Sequence, residues 1–294
     1  MTTRNKCKIF FLLLLICSNF LSAKAQQKPE IHAHRGFRGL MPENTIVAMK
    51  NALDYRATVL EMDISFSKDK KVIVSHDPWL NSRFVHIARG NIISKEEQEA
   101  YKLYQLNYKE IKKYDIGIKP HPLFPKQKKI SAYIPLLSKL IDSVELYAKE
   151  KKYSLPRYNI EIKTKPEGDG ILHPKPQEFV ERLMKVIFQK NIQNRVIIQS
   201  FDPRALEIMH VKYPGIPLML LTTRGTLQDN LKKLNFKPTY YCPSVKLINK
   251  AELEECDKLG IKLIGGNINN KKEIERILKL GISGFISDYP YNAK

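Results

Sequence analysis

The chain has 294 residues, 43% of them hydrophobic and 27% charged, a balance that excludes a disordered chain and suffices for one large domain or two small ones. Fifty lysines and arginines against thirty acids leave a formal charge of +20, a field that favours anionic ligands. No basic-aromatic repeat or nucleic-acid motif accompanies that charge, so nucleic acid is not expected as the partner, and the charge speaks for the sign of a substrate or surface alone.

Residues 1–25 read as an export signal. Arg4, Lys6 and Lys8 precede the apolar run Ile9 to Cys17, and Ala23-Lys24-Ala25 has the small-x-small form that signal peptidase cuts. Nine apolar residues rise only about 14 Å as a helix, too short for a bilayer core. A lipoprotein signal would need a small residue before Cys17, where Ile16 stands. Cleavage after Ala25 would send the chain to the periplasm or beyond, remove Cys7 and Cys17, and leave a domain of residues 26–294 with a charge of about +16. Nothing later is long and apolar enough to span a membrane. Export permits a disulfide between Cys242 and Cys256, but their spacing fixes no geometry, and two buried free thiols are the expectation.

Short β-branched runs then alternate with amphipathic stretches. Strands are expected near Ile31–His34, Val59–Ser65, Tyr158–Lys163, Val196–Ser200, Pro217–Leu221, Thr239–Cys242, Lys262–Gly265 and Gly284–Ser287. Helices are expected over Glu43–Tyr55, Leu136–Lys149, Pro176–Gln189, Pro203–Tyr213, Asn249–Leu259 and Lys271–Leu280. Eight strands with crossovers predict an α/β fold, a TIM-type (β/α)8 barrel, with a doubly wound open sheet as the alternative. Val72-Ile73-Val74 follows the second strand too closely for a parallel crossover. It must return as an antiparallel hairpin around Lys68-Asp69-Lys70, bringing His76 beside Glu61 and Asp63. Residues 78 to about 132 show no strand-helix period and read as a small inserted capping subdomain over the catalytic face.

Residues two apart on a strand share a side, so Glu61 projects with Asp63, and Glu161 with Lys163. Adjacent carboxylates need a cation or a proton between them, and three at strand ends make an oxygen-rich site for Ca²⁺ or Mg²⁺ rather than zinc. His34-Arg35-Gly36 ends the first strand, where Arg35 can hold a phosphoryl oxygen and Gly36 lets the chain turn. His76-Asp77 ends the return strand. Histidines have the pKa to take and give protons near neutrality, and two of them flank the carboxylates. His32 shares the face of His34 and reads as a core or supporting histidine.

With these motifs the chain resembles the glycerophosphodiester phosphodiesterase family. The resemblance rests on His34-Arg35-Gly36, Pro42-Glu43-Asn44-Thr45, Glu61-Met62-Asp63, His76-Asp77, Glu161-Ile162-Lys163, Ser200-Phe201 and Asp288-Tyr289-Pro290. The insertion, with Tyr114-Asp115-Ile116-Gly117 and Lys119-Pro120-His121-Pro122, looks like that of the family's larger-insertion members. The resemblance implies hydrolysis of glycerophosphodiesters to sn-glycerol 3-phosphate and an alcohol. It implies a metal on Glu61, Asp63 and Glu161, calcium ahead of magnesium, with His34 and His76 as general base and acid. Arg35 and Lys163 would contact the phosphate. One departure stands out: relatives often carry an aromatic residue after the seventh parallel strand, where this chain reads Ile264-Gly265-Gly266-Asn267. The only tryptophan is Trp79. Competing readings are a lysophospholipase D or other phospholipase-type phosphodiesterase on the same barrel, a binding module that kept the fold, and a glycoside hydrolase. The last has no use for His34, His76 and Arg35 together.

Overall fold

A computed structural model describes residues 28–86 and 93–291. The expected export signal, with Cys7 and Cys17, lies outside the described residues. Among those described, eight parallel strands close into a ring. In chain order the strands are β1 (Glu30–Ala33), β2 (Val59–Phe66), β3 (Val72–Val74), β4 (Arg157–Ile162), β5 (Val196–Ser200), β6 (Leu218–Thr222), β7 (Tyr240–Pro243), β8 (Lys262–Gly265) and β9 (Gly284–Ser287). Neighbours run β1-β9-β8-β7-β6-β5-β4-β2, and pairing of His32 with Val59 and Ala33 with Leu60 joins β2 back to β1. That closure leaves no parallel edge and sets aside the open-sheet alternative.

The hairpin forms as its spacing requires. Strand β3 runs antiparallel to β2 outside the ring, with Ile64 opposite Val74, and the Ser75 N–H extends the ladder to the Asp63 carbonyl at 3.0 Å. His76 is therefore delivered to the level of the β2 carboxylates.

The helices are α1 (Ile46–Asp54), α2 (Tyr108–Ile111), α3 (Leu137–Glu150), α4 (Pro176–Gln189), α5 (Pro203–Lys212), α6 (Leu227–Leu231), α7 (Lys250–Leu259) and α8 (Lys271–Leu280). Helix α1 begins at Ile46 rather than at Glu43, because the Thr45 hydroxyl accepts the Ala48 N–H and so caps it, and because Asn44 adopts φ 58°. The short α2 and α6 escaped the periodicity; each starts with a side-chain cap pairing, Asn107 with Glu110 and Thr226 with Asp229. The main apolar core lies between the ring and its helices, with Leu60, Met62, Ile160, Leu183 and Phe285 fully buried. The insertion has a smaller core of its own, including Leu80, Val85, Leu103 and Ile116, built onto Ile73 of β3. It reaches the catalytic end of the barrel: the Gln127 amide donates to the Arg38 carbonyl at 2.7 Å and the Lys128 N–H to the Leu40 carbonyl at 2.9 Å. Cys242 and Cys256 are free and buried. No helix among the described residues is long and apolar enough to cross a membrane.

Candidate active site

Register places the carboxylates. Asp63 pairs with Glu161 across β2 and β4, and Glu61 lies one same-face step below Asp63, so one oxygen from each falls within 4.8 Å of the others. All three are buried. Burial, then the neighbouring Asp63 and Glu161 charges, push Glu61 well above the usual carboxylate range. Burial acts the same way on Glu161 and outweighs the opposing pull of Lys163. Asp63 goes the other way: burial would raise it, but Arg35 and Lys163 together hold it well below its ordinary value. Asp63 Oδ1 is buried without a hydrogen-bond partner. An orphaned carboxylate oxygen beside two strained carboxylates fits a hard divalent cation, which would relieve all three.

The turn after β1 locks onto this cluster. Expected as the end of the strand, His34-Arg35-Gly36 forms a 3-10 turn instead, with Arg35 at φ 49° and Gly36 at φ 80°. A Cβ on residue 36 would sit 2.7 Å from the Ala48 Cβ, so only glycine lets the turn lie on α1. The turn aims the Arg35 N–H at Glu61 Oε2 (2.8 Å), and the guanidinium meets Glu43 at 2.8 Å and Asp63 at 3.1 Å. Asn44 Nδ2 donates to Asp63 Oδ2 at 2.8 Å. Lys163, just past β4, lies 2.8 Å from Glu161 Oε1 and 3.5 Å from Asp63 Oδ1.

Each histidine is anchored by an aspartate. His34 Nδ1 is 2.6 Å from Asp288 Oδ1, and Asp288 also accepts from Arg38 Nε (2.6 Å) and Asn269 Nδ2 (2.6 Å). Burial would raise Asp288, but His34 and Arg38 hold it far below the carboxylate range, so it stays an acceptor and Nδ1 of His34 carries the proton. Burial in turn keeps the imidazole pKa below its ordinary value, leaving a neutral ring with Nε2 as the free base. His76 Nδ1 faces Asp77 Oδ1 at 3.0 Å, and Asp77 Oδ2 accepts from Asn81 at 2.6 Å.

Two lobes open over the carboxylates. One, about 260 Å³, includes His34, Glu61, Glu161, Thr222 and Asn267; the other, about 320 Å³, includes His76, Trp79, Glu161, Lys163 and Leu172. Glu161 and Phe201 belong to both. The structure thus brings five of the seven expected residues to these lobes; Asp63, clustered with Glu61 and Glu161, borders neither. Arg35 borders neither lobe; it faces a separate cavity of about 110 Å³ closed by His76 and by Arg83, Phe84 and His121 of the insertion. After β8 there is no aromatic side chain, as the sequence warned. The exposed ring of Phe201, with Trp79 and Leu172, borders the larger lobe from other loops.

Sequence reasoning gave no role to Asp288, Arg38, Glu43, Asn44 or Gln199, all of which hold the expected residues in place. The signal was partly there, since Glu43, Asn44 and Asp288 fall within quoted motifs. Their partners could not be read, because His34 and Asp288 are 254 positions apart.

The sequence profile of the glycerophosphoryl diester phosphodiesterase family matches residues 34–292. A glycerophosphodiester phosphodiesterase of Caldanaerobacter subterraneus subsp. tengcongensis is 29% identical over 268 residues, covering 90% of this chain and 95% of the relative. A human lysophospholipase D is 20% identical, covering 88% and 81%. Among solved structures, one from Silicibacter pomeroyi superposes with a TM-score of 0.79 at 22% identity, covering 89% of this chain and 90% of that one. An Oleispira antarctica phosphodiesterase in complex with the product sn-glycerol-3-phosphate gives 0.69 at 21%, covering 90% and 94%. With the barrel, the carboxylate cluster and the profile in agreement, the chain belongs to the glycerophosphoryl diester phosphodiesterase family.

Proposed function

We propose that the protein hydrolyses glycerophosphodiesters to sn-glycerol 3-phosphate and an alcohol, with a divalent cation held by Glu61, Asp63 and Glu161. The observation that carries this reading is the pair of aspartate-anchored histidines on either side of three buried carboxylates. A bound cation would supply positive charge to the phosphoryl oxygens and make a coordinated hydroxyl more acidic. His34, neutral and protonated on Nδ1, takes a proton at Nε2 from the attacking hydroxyl. His76 lies in the other lobe and gives a proton to the departing alkoxide. Lys163 offsets phosphate charge directly, while Arg35, engaged by Glu43 and Asp63, contributes from beneath.

The attacking hydroxyl in this reading is the substrate's own, vicinal to the ester; it forms a cyclic phosphate that water then opens. Hydrolysis of a glycerophosphodiester beside an analogue lacking that hydroxyl tests the route. The analogue should turn over far more slowly, and equal rates would rule the route out. Calcium is proposed ahead of magnesium, and export with cleavage after Ala25 is proposed from the leader; N-terminal sequencing of the protein recovered outside the cytoplasm tests the latter.

One observation favours a second reading, a lysophospholipase D. The Phe201 ring is exposed and borders both lobes, and Trp79 and Leu172 join it along the larger one, an apolar border beside the carboxylates that suits an acyl chain. Lysophosphatidylcholine assayed beside glycerophosphocholine separates the two: preference for the first supports the lipase reading, and preference for the second the glycerophosphodiester one.

A further inference from the structure

Beneath the carboxylates, one side of the barrel interior is a continuous hydrogen-bonded chain. Glu61 Oε1 accepts from Gln199 Nε2 at 2.9 Å, and Gln199 Oε1 accepts from Asn159 Nδ2 at 3.0 Å. The same Asn159 nitrogen is 3.1 Å from His32 Nδ1, and His32 Nε2 is 3.3 Å from Glu30 Oε2. Glu30 is paired with Arg157 at 2.9 Å, whose other nitrogen donates to the Tyr240 hydroxyl at 3.0 Å. Glu30 and Arg157 are the first residues of β1 and β4, so the chain runs from the N-terminal mouth of the barrel to the site at its other end. His32, Asn159 and Gln199 are all buried from solvent.

The direction of every link follows from its end. Burial would raise Glu30, but His32 and Arg157 hold it down to about 2, so it is a carboxylate that only accepts. His32 must therefore carry its proton on Nε2. Burial keeps the ring neutral against the pull of Glu30, which leaves Nδ1 as a bare lone pair. What faces a lone pair must be the amide nitrogen of Asn159, whose two hydrogens then serve His32 and Gln199. Asn159 Oδ1 is buried without a partner, a cost that this direction carries. With its oxygen occupied, Gln199 turns its own N–H toward Glu61. Reversing any single link would set two acceptors or two donors against each other.

Glu61 thus has an amide N–H on Oε1 and the Arg35 backbone N–H on Oε2, with one lone pair of each oxygen still available. We propose that Glu30, His32, Asn159 and Gln199 form a polarised chain that positions Glu61 to receive the cation. The proposal rests on the reading of Glu61 as a ligand, and these four act through it as positioning residues; Glu30, His32 and Asn159 border neither lobe, while Gln199 reaches the 260 Å³ lobe beside Glu61. Supporting partners behind metal ligands commonly govern affinity by about 10–100-fold.

Two measurements test it. In ¹⁵N NMR of the cation-free protein, His32 should show the Nε2–H tautomer across the neutral range; an Nδ1–H tautomer or an imidazolium would overturn the chain's direction. Calorimetric titration with CaCl2 then compares wild type with Asn159→Asp, which keeps shape but offers only acceptors. It forces Gln199 to turn its oxygen toward Glu61, and affinity should fall by about 10–100-fold. An added negative charge acting by simple attraction would tighten binding, so unchanged or tighter binding contradicts the proposal. Gln199→Leu, checked by its melting curve, should weaken binding similarly if it folds. Wild-type protein that takes up neither Ca²⁺ nor Mg²⁺ would remove the cation reading itself, and the tautomer would then decide the chain alone.

Discussion

The two halves of the barrel interior are built on different principles. On the β6–β9 side Met219, Leu221, Cys242, Ile264 and Ile286 meet, with Ile197 and Tyr240, in an apolar cluster, of which Leu221, Cys242 and Ile286 also border the smaller lobe. On the β1, β2 and β4 side the inward positions are His32, Glu61, Asp63, Asn159 and Glu161, all buried. The apolar half gains from burial at roughly 25 cal/mol per Å². The polar half gives much of that gain back, because buried carboxylates cost free energy unless every oxygen is met. Hydrogen bonds meet most of them, and Asp63 Oδ1, which lacks one, lies where the cation is proposed. One wall holds the ring closed; the other spends stability on a site.

Substitutions on the two walls should therefore separate function from stability. The largest effect belongs to the histidines over the polar wall: His34→Ala and His76→Ala should each lower kcat/KM by about 10²–10⁴-fold with little change in melting temperature. Wild-type rates in either variant would remove that histidine from the mechanism. Next comes a pair with opposite signs. Met219→Ala, on the apolar wall, should cost about 2–5 kcal/mol in denaturant unfolding while folded molecules keep their rate. Glu61→Gln should abolish cation uptake yet raise the melting temperature of the cation-free protein, because it removes a carboxylate that burial and its neighbours destabilise. Loss of stability in Glu61→Gln would mean that the hydrogen bonds from Gln199 and the Arg35 N–H, one of which the variant forfeits, outweigh the relief of buried charge.

The smallest effect is one of pH. The folded-state pKa of Glu61 lies above its ordinary 4.5, so its stabilising contribution is complete below that value and is lost as pH rises through the folded one. A bound cation needs the ionised form and reverses this loss. The rise in melting temperature produced by Ca²⁺ should therefore grow as pH rises above the ordinary carboxylate range, with protons released on binding. Glu161, also raised, acts in the same sense, while burial holds His32 and His34 below their ordinary 6.5. Asp63, held low, matters only below its ordinary 3.8. A cation effect that is flat in pH would contradict the raised carboxylate.

Much of this was legible in the chain because it follows from local spacing. Period-two alternation put Glu61 with Asp63 and Glu161 with Lys163, and the short link before Val72 forced the hairpin that brings His76 back. What could not be read depends on ring closure. Asp288 meets His34 only because β9 lies beside β1, and Gln199 meets Glu61 across 138 residues. A strand-by-strand reading gives the direction of each side chain but not which wall it faces. The start of α1 was misplaced for a local reason: Asn44 at φ 58° and the Thr45 cap override the apolar period that runs back to Glu43.

The most direct test of the central claim is hydrolysis of glycerophosphocholine, followed as glycerol 3-phosphate release, in chelator and after metal add-back. Activity should vanish in chelator, return with Ca²⁺ or Mg²⁺, and stay absent in Glu61→Gln under every condition. Undiminished turnover in chelator, or a fully active Glu61→Gln, would contradict a cation held by Glu61, Asp63 and Glu161.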